Sequence, residues 1–178
     1  LKYGVDFIET EVVPQEIDRP AGAVSVTDTK YKQYIKGNDY LKAFEEALKD
    51  ADAGSKKIYI PAGTYELSGI WYIYGSDVKI TGAGIWYTNL KFTNPNPFGG
   101  GISGGNGSHG PDDYCNNMDI SNFYINSNLR SRWDQKAVYK CFMDVFKGGS
   151  AIHDIWEDHF ECGFWIADYN GKIDYSSG

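Results

Sequence analysis

The densest run of ionisable side chains in the sequence lies between Asp154 and Glu161, and holds Asp154, Glu157, Asp158, His159 and Glu161. Two carboxyls held a short distance apart, with an imidazole beside them, can divide the work of a general acid and a general base. If an acid–base pair lies within this chain, it is Asp158 and Glu161, with His159 as hydrogen-bonding partner. The plain alternative is a turn rich in solvated charge. His153 and His159 with the nearby acids do not have a recognised metal-ligand spacing. The cysteines, Cys115, Cys141 and Cys162, are odd in number and contain no CxxC, so no zinc site is expected. They form either one disulfide and one thiol, or three reduced thiols. No metal and no cofactor is expected.

The second chemical signal is aromatic. Trp71, Trp86, Tyr87, Trp156 and Trp165 are candidates for contact with sugar rings, whose apolar C–H face matches a flat indole while hydroxyls bond at the edges. Core packing must claim some of them. Trp86 and Trp165 stand next to apolar strand residues that point inward, so alternation turns them outward. Trp86, Trp156 and Trp165 are the expected substrate-binding residues.

These groups need a scaffold, and the stretch from Lys57 to Phe92 indicates which. Lys57–Ile60, Ile70–Tyr74 and Val78–Ile80 are short β-rich runs, separated by Pro61-Ala62-Gly63, Gly75-Ser76-Asp77 and Gly82-Ala83-Gly84 turns. A hexamer of this stretch, Ile80 to Ile85, aligns with two later ones, Ile120 to Ile125 and Ile152 to Glu157. Each carries an apolar residue, a polar one and then a turn-former, Gly82, Asn122 or Asp154. The offsets are 120 − 80 = 40 and 152 − 120 = 32 residues. A parallel solenoid requires such a pattern, with like positions stacking at about 4.8 Å. Unequal offsets imply inserted loops, the largest being 94–117 with seven glycines between Gly99 and Gly110. Asp112 and Asp113 within it are expected to be solvated.

One helix is expected over 38–54. Asn38 or Asp39 caps it, Leu41, Phe44, Leu48 and Ala51 form its apolar face, Glu45 and Lys49 pair, and Gly54 stops it. Its task is to cover one end of the β-stack. Residues 1–20 are strand-like up to about Ile8 and then a linker marked by Pro14 and Pro20. They are assigned to a preceding β-sandwich-like module, and 21–178 to the solenoid.

The net charge of −7 comes without a Lys/Arg cluster, which argues against nucleic acid and anionic membrane surfaces. Neutral polymers remain. Aromatics at 16% and 21 glycines fit a turn-rich β protein with an aromatic surface. The chain starts Leu1-Lys2-Tyr3, without an initiator Met or a basic-then-apolar leader, and so reads as a piece of a longer protein.

AFEEALKDA, KKIYIPAGTYELSGI and VKITGAGIWYTNL resemble the start of the pectate-lyase-like right-handed parallel β-helix enzymes. GAGIWYTNL (Gly82–Leu90) and WEDHFECGFWI (Trp156–Ile166) are similar to glycoside hydrolase family 87, the α-1,3-glucanases or mycodextranases. The resemblance covers roughly residues 22–178. It implies an all-β fold, a right-handed parallel β-helix (solenoid) with an N-terminal capping α-helix. It further implies a secreted, extracellular enzyme that acts within α-glucan polysaccharide chains by inversion, monomeric in its full length. The family's Ala-Asp-Gly and Gly-Asp-Asp motifs are absent here, so no catalytic residue is transferred and the catalytic aspartates are expected after Gly178. The alternatives are a dextranase- or pectinase-type β-helix enzyme, and a non-catalytic glycan-binding β-helix of the adhesin or tailspike kind.

Overall fold

The structure, a computed structural model, describes residues 14–94, 100–108, 110, 112–131 and 140–166. The strand expected near the start lies outside the described residues, and 14–20 run without regular structure. After β1 (Val24–Ser25) and a 3₁₀ turn at Thr29–Tyr34 comes α1 (Leu41–Ala53). The rest of the described residues are strand and loop, laid down in layers.

The first layer holds β2 (Lys57–Ile60), β3 (Gly63–Leu67), β4 (Trp71–Ile73) and β5 (Gly75–Ser76). The second holds β6 (Lys79–Gly82), β7 (Thr88–Phe92), β8 (Ile102–Gly104) and β9 (Cys115–Asn116). The third holds β10 (Asp119–Asn126), β11 (Lys140–Asp144) and β12 (Phe146–Lys147), and the fourth β13 (Ala151–Asp158) and β14 (Cys162–Ile166). Every pairing between these strands is parallel. Three sheets result. One contains β1, β2, β6, β10, β7 and β3 with β13 on β10, the second β4, β8, β11 and β14, and the third β5, β9 and β12. The chain is mostly β, built from parallel sheets that it revisits in the same order.

The core follows from the register. Val24, Ile58, Ile80, Ile120 and Ile152 occupy one column. Trp71, Ile102, Phe142 and Phe164 occupy another in the second sheet. Ile58, Ile80, Ile120, Trp71, Ile102 and Phe142 are fully buried. Side chains on one face repeat every second residue, so a column of like residues gives each layer the same inward set. The corner before each layer is left-handed: Lys56, Asp77, Asn117 and Gly149 all have positive φ. Asn and Asp tolerate that conformation through their short polar side chains, and Asn117 Nδ2 donates to Asp77 Oδ1 at 2.6 Å.

Helix α1 starts three residues inside the expected 38–54 span and ends one residue before its end. Asp39 does not occupy the N-cap, which is Tyr40, but its Oδ1 accepts the Leu41 N–H at 3.1 Å. Glu45 pairs with Lys42 at 3.1 Å rather than with Lys49, and Lys42 also reaches Glu46. Ala43, Phe44, Ala47, Leu48 and Ala51 are buried. Phe44 lies edge-on to Trp71, centroids 5.0 Å apart, and 5.6 Å from Tyr65. The helix therefore covers the interior of the first layer.

The glycine-rich stretch read as one loop contains β8 and β9. Strands of three and two residues carry no alternation to detect. A Cβ on Gly101, at φ +80°, would lie 1.8 Å from the Lys140 carbonyl, so this glycine serves close layer packing. Asp113 is also not solvated. It is 2% exposed and its carboxylate accepts the Asn106 N–H, while Asp112 stays exposed.

Candidate functional site

The outer face of the seven-stranded sheet carries an aromatic cluster. Trp156 in β13 is the register partner of Tyr124 in β10, with rings 5.3 Å apart. Trp86, on the link between β6 and β7, meets Trp156 edge to face at 5.1 Å and 76°. Trp86 and Trp156 are 61% and 45% exposed. Burial first, and then the neighbouring Asp158 carboxylate, raise the Tyr124 hydroxyl above its ordinary value.

Beside Trp86 runs a groove of about 310 Å³, lined among others by Gln15, Ile17, Tyr87, Asn122 and Asp154. One wall is the 14–17 segment, pinned to the sheet. Ile17 N–H donates to the Ala83 carbonyl at 2.9 Å, Tyr59 hydroxyl donates to the Ile17 carbonyl at 2.6 Å, and Tyr87 hydroxyl donates to the Pro14 carbonyl. The floor is a bend shared by two layers, where Asn122 and Asp154 have φ of 65° and 50°. Gly82 opposes Asn122, and a Cβ there would lie 2.2 Å from the Asn122 carbonyl oxygen. Thus the turn-formers aligned in sequence also align in space.

Asp154 is held by a charged ladder. His153 Nδ1 lies 2.8 Å from Asp154 Oδ2 and its Nε2 3.0 Å from Asp119 Oδ1. Asp119 Oδ2 in turn bonds Lys79 at 2.8 Å. A ring with a carboxylate at each nitrogen can donate to both only as imidazolium. The Asp154 hydrogen bond, opposed by burial and reinforced by Asp119, raises the His153 pKa.

The expected acid–base group is only partly assembled. Asp158 Oδ2 lies 3.1 Å from His159 Nδ1, and Asp158 Oδ1 accepts the His159 N–H. His159, at φ 60°, turns the chain after β13. Glu161 lies past that corner, in a recess of about 480 Å³ shared with Leu129, Arg130, Ser131, His159 and Phe160. Among the described strands no two carboxylates are register partners, Asp158 facing Asn126 and Glu157 facing Ile125; the one acid pair is the isolated bridge of Asp39, before α1, with Glu66, in β3. Among the described residues no three metal-ligating side chains converge on a common centre.

Trp165 is exposed but belongs to the second sheet, where it pairs with Met143 and lies under the Lys140 ammonium at 4.4 Å. It is not part of the Trp86 cluster. Trp71 is core. All three cysteines are free thiols. Burial pushes Cys115 up to about 12, and Cys141 rises through burial and then through Glu157.

Tyr124 escaped sequence reasoning, and Glu157, named there with the acidic run, takes a position that reasoning did not foresee. Tyr124 stands at the same offset in its hexamer as Trp156, so the alignment already contained it. Glu157 occupies the column of Tyr65, Leu90 and Ile125, an inward position in the earlier layers. Its carboxylate reaches where a Gly163 Cβ would stand, 2.6 Å from Oε1. An acid in an apolar column has no periodic signal of its own.

The chain matches the family model described as α-1,3-glucanase catalytic domain D2 over residues 34–173. The crystal structure of the Agl-KA catalytic domain superposes with a TM-score of 0.72 at 45% identity, covering 88% of this chain and 27% of that one. The chain thus spans 27% of the length of that relative. The crystal structure of the catalytic unit of a thermostable GH87 α-1,3-glucanase from Streptomyces thermodiastaticus strain HF3-3 gives 0.39 at 18% identity, over 84% of this chain and 33% of that one, too distant to bear on the fold. No curated protein sequence matches the chain.

Proposed function

The chain belongs to the α-1,3-glucanase catalytic-domain family, a family of polysaccharide-degrading glycoside hydrolases, and on that premise we propose that its protein cleaves α-1,3-glucan within the polymer, by inversion and outside the cell. The three parallel sheets are the faces of a right-handed β-helix with α1 as its N-terminal cap. Residues 1–20 belong to a preceding sandwich-like module and 21–178 to the first part of the helix, in a protein that acts as a monomer.

The observation that carries the reading is the exposed Trp86–Trp156–Tyr124 cluster on a rigid parallel sheet, within the family-matched residues. Flat aromatic rings suit the C–H faces of a neutral glucan. Acidic side chains around them disfavour polyanions. Inverting hydrolysis needs two carboxyls about 6.5–9.5 Å apart with a water between. Among the described strands no two acids are register partners. Asp158 and Glu161, with His159, are the pair to test within this chain. Trp165, on a different sheet, would contact only a chain that wraps around the stack.

The test is reducing-sugar release from insoluble α-1,3-glucan, with dextran and pectin as controls. Release from α-1,3-glucan alone is expected. Release from dextran or pectin instead would move the assignment to another β-helix hydrolase. Glucan binding without release would make the protein a non-catalytic glycan binder.

A further inference from the structure

The groove between the 14–17 segment and Trp86 adds a walled recess to one end of the aromatic cluster described above. Its wall is fixed by the three hydrogen bonds from Ile17, Tyr59 and Tyr87. Its volume of about 310 Å³ is at the small end of the ligand-pocket range, which suits one or two rings rather than a long strand. No lysine or arginine lines it, and Asp154 does, so phosphates and uronates are disfavoured. His153 Nδ1 occupies Oδ2 of Asp154, which leaves one carboxylate oxygen rather than two for a cation and so disfavours a quaternary ammonium. What remains is a neutral ligand with an apolar face and hydroxyl edges.

We propose that this groove is a saccharide subsite that seats a neutral glucopyranose ring stacked on the Trp86 indole, with Asp154 accepting a hydroxyl. Trp86 is held at its angle by Trp156. His153 takes Oδ2 of Asp154, and Oδ1 has no hydrogen-bond partner among the described residues. The 14–17 wall limits how many rings fit and makes this segment a determinant of specificity. The choice of glucose as the sugar rests on the glucanase reading; the ring-on-indole geometry does not.

The experiment is a titration of the protein with the α-1,3-linked glucose disaccharide, read by tryptophan fluorescence and by the indole N–H signals in NMR spectra. Choline and glucuronate serve as charged probes. Trp86→Ala is expected to weaken binding about tenfold and Asp154→Asn about fivefold. On the unaltered protein, the Trp86 indole signal shifts and the Trp165 signal does not. The proposal is overturned if Trp86→Ala binds as tightly as wild type, if the Trp86 signal is still, or if choline or glucuronate binds more tightly. Disaccharide binding at Trp86 without sugar release from glucan retains this subsite and removes the proposed hydrolysis. Release with binding indifferent to Trp86 does the reverse.

Discussion

The first and fourth layers are cut to one pattern and meet different surroundings. In the first, Ile58, Trp71 and Tyr65 are sealed beneath α1. In the fourth, the same columns continue as Ile152, Phe164 and Glu157. Phe164 is 54% exposed although its ring stacks on Phe142 at 5.3 Å and 13°. Register decides which way a residue points. The neighbour on the far side decides how much that direction is worth.

Substitutions can break or sharpen this contrast. The largest effect belongs to Phe44, which closes the first layer. Phe44→Ala should cost about 3–5 kcal/mol in urea unfolding, whereas Phe164→Ala should cost under about 1.5 kcal/mol. Equal costs would mean the fourth layer is covered as well as the first. Next comes the bend the third and fourth layers share. Asn122 sits at φ 65° with its side chain on Thr81 and Ser121. Asn122→Ala should cost about 1–2 kcal/mol, and Asn122→Gly should recover part of it; no recovery would place the cost in the side-chain bonds alone.

A smaller effect, of opposite sign, is expected at Glu157. Glu157→Leu continues the apolar column of Leu90 and Ile125, but the position is exposed in the open fourth layer, so stability should rise by less than about 1 kcal/mol. A fall would mean that the carboxylate beside the Cys141 thiol is worth more than the column. The smallest concerns His153. Its pKa is raised in the fold, so its contribution is complete below the ordinary imidazole value and is lost as pH rises through the raised one. As the group is half exposed, this should amount to only about 0.5 kcal/mol. Stability measured from pH 5 to 9 should show that step in the wild type and lose it in His153→Ala. A step that survives belongs to another group.

Much of the scaffold was legible in the sequence. Aligning Ile80, Ile120 and Ile152 by their turn-formers reproduces the observed register, because a parallel ladder demands like residues at like offsets. Leu41, Phe44, Leu48 and Ala51 placed the helix by the same logic at a different period. Of the site, alternation turned Trp165 outward as expected, whereas Trp86 is exposed from the turn between β6 and β7, where no alternation applies, and Tyr124 was hidden in the hexamer alignment. β8, β9 and the burial of Asp113 were not, since two- and three-residue strands between glycines have no period.

By itself, then, the sequence determined the direction and register of the strands and the side of the sheet each residue faces, because these depend on spacing along the chain. Only the tertiary structure decided which outward residues share a surface. It set Trp86 against Trp156, put Trp165 on a separate sheet and parted Glu161 from Asp158. Those outcomes hang on corners, where a few residues at positive φ redirect the chain and no repeat in the sequence records the angle.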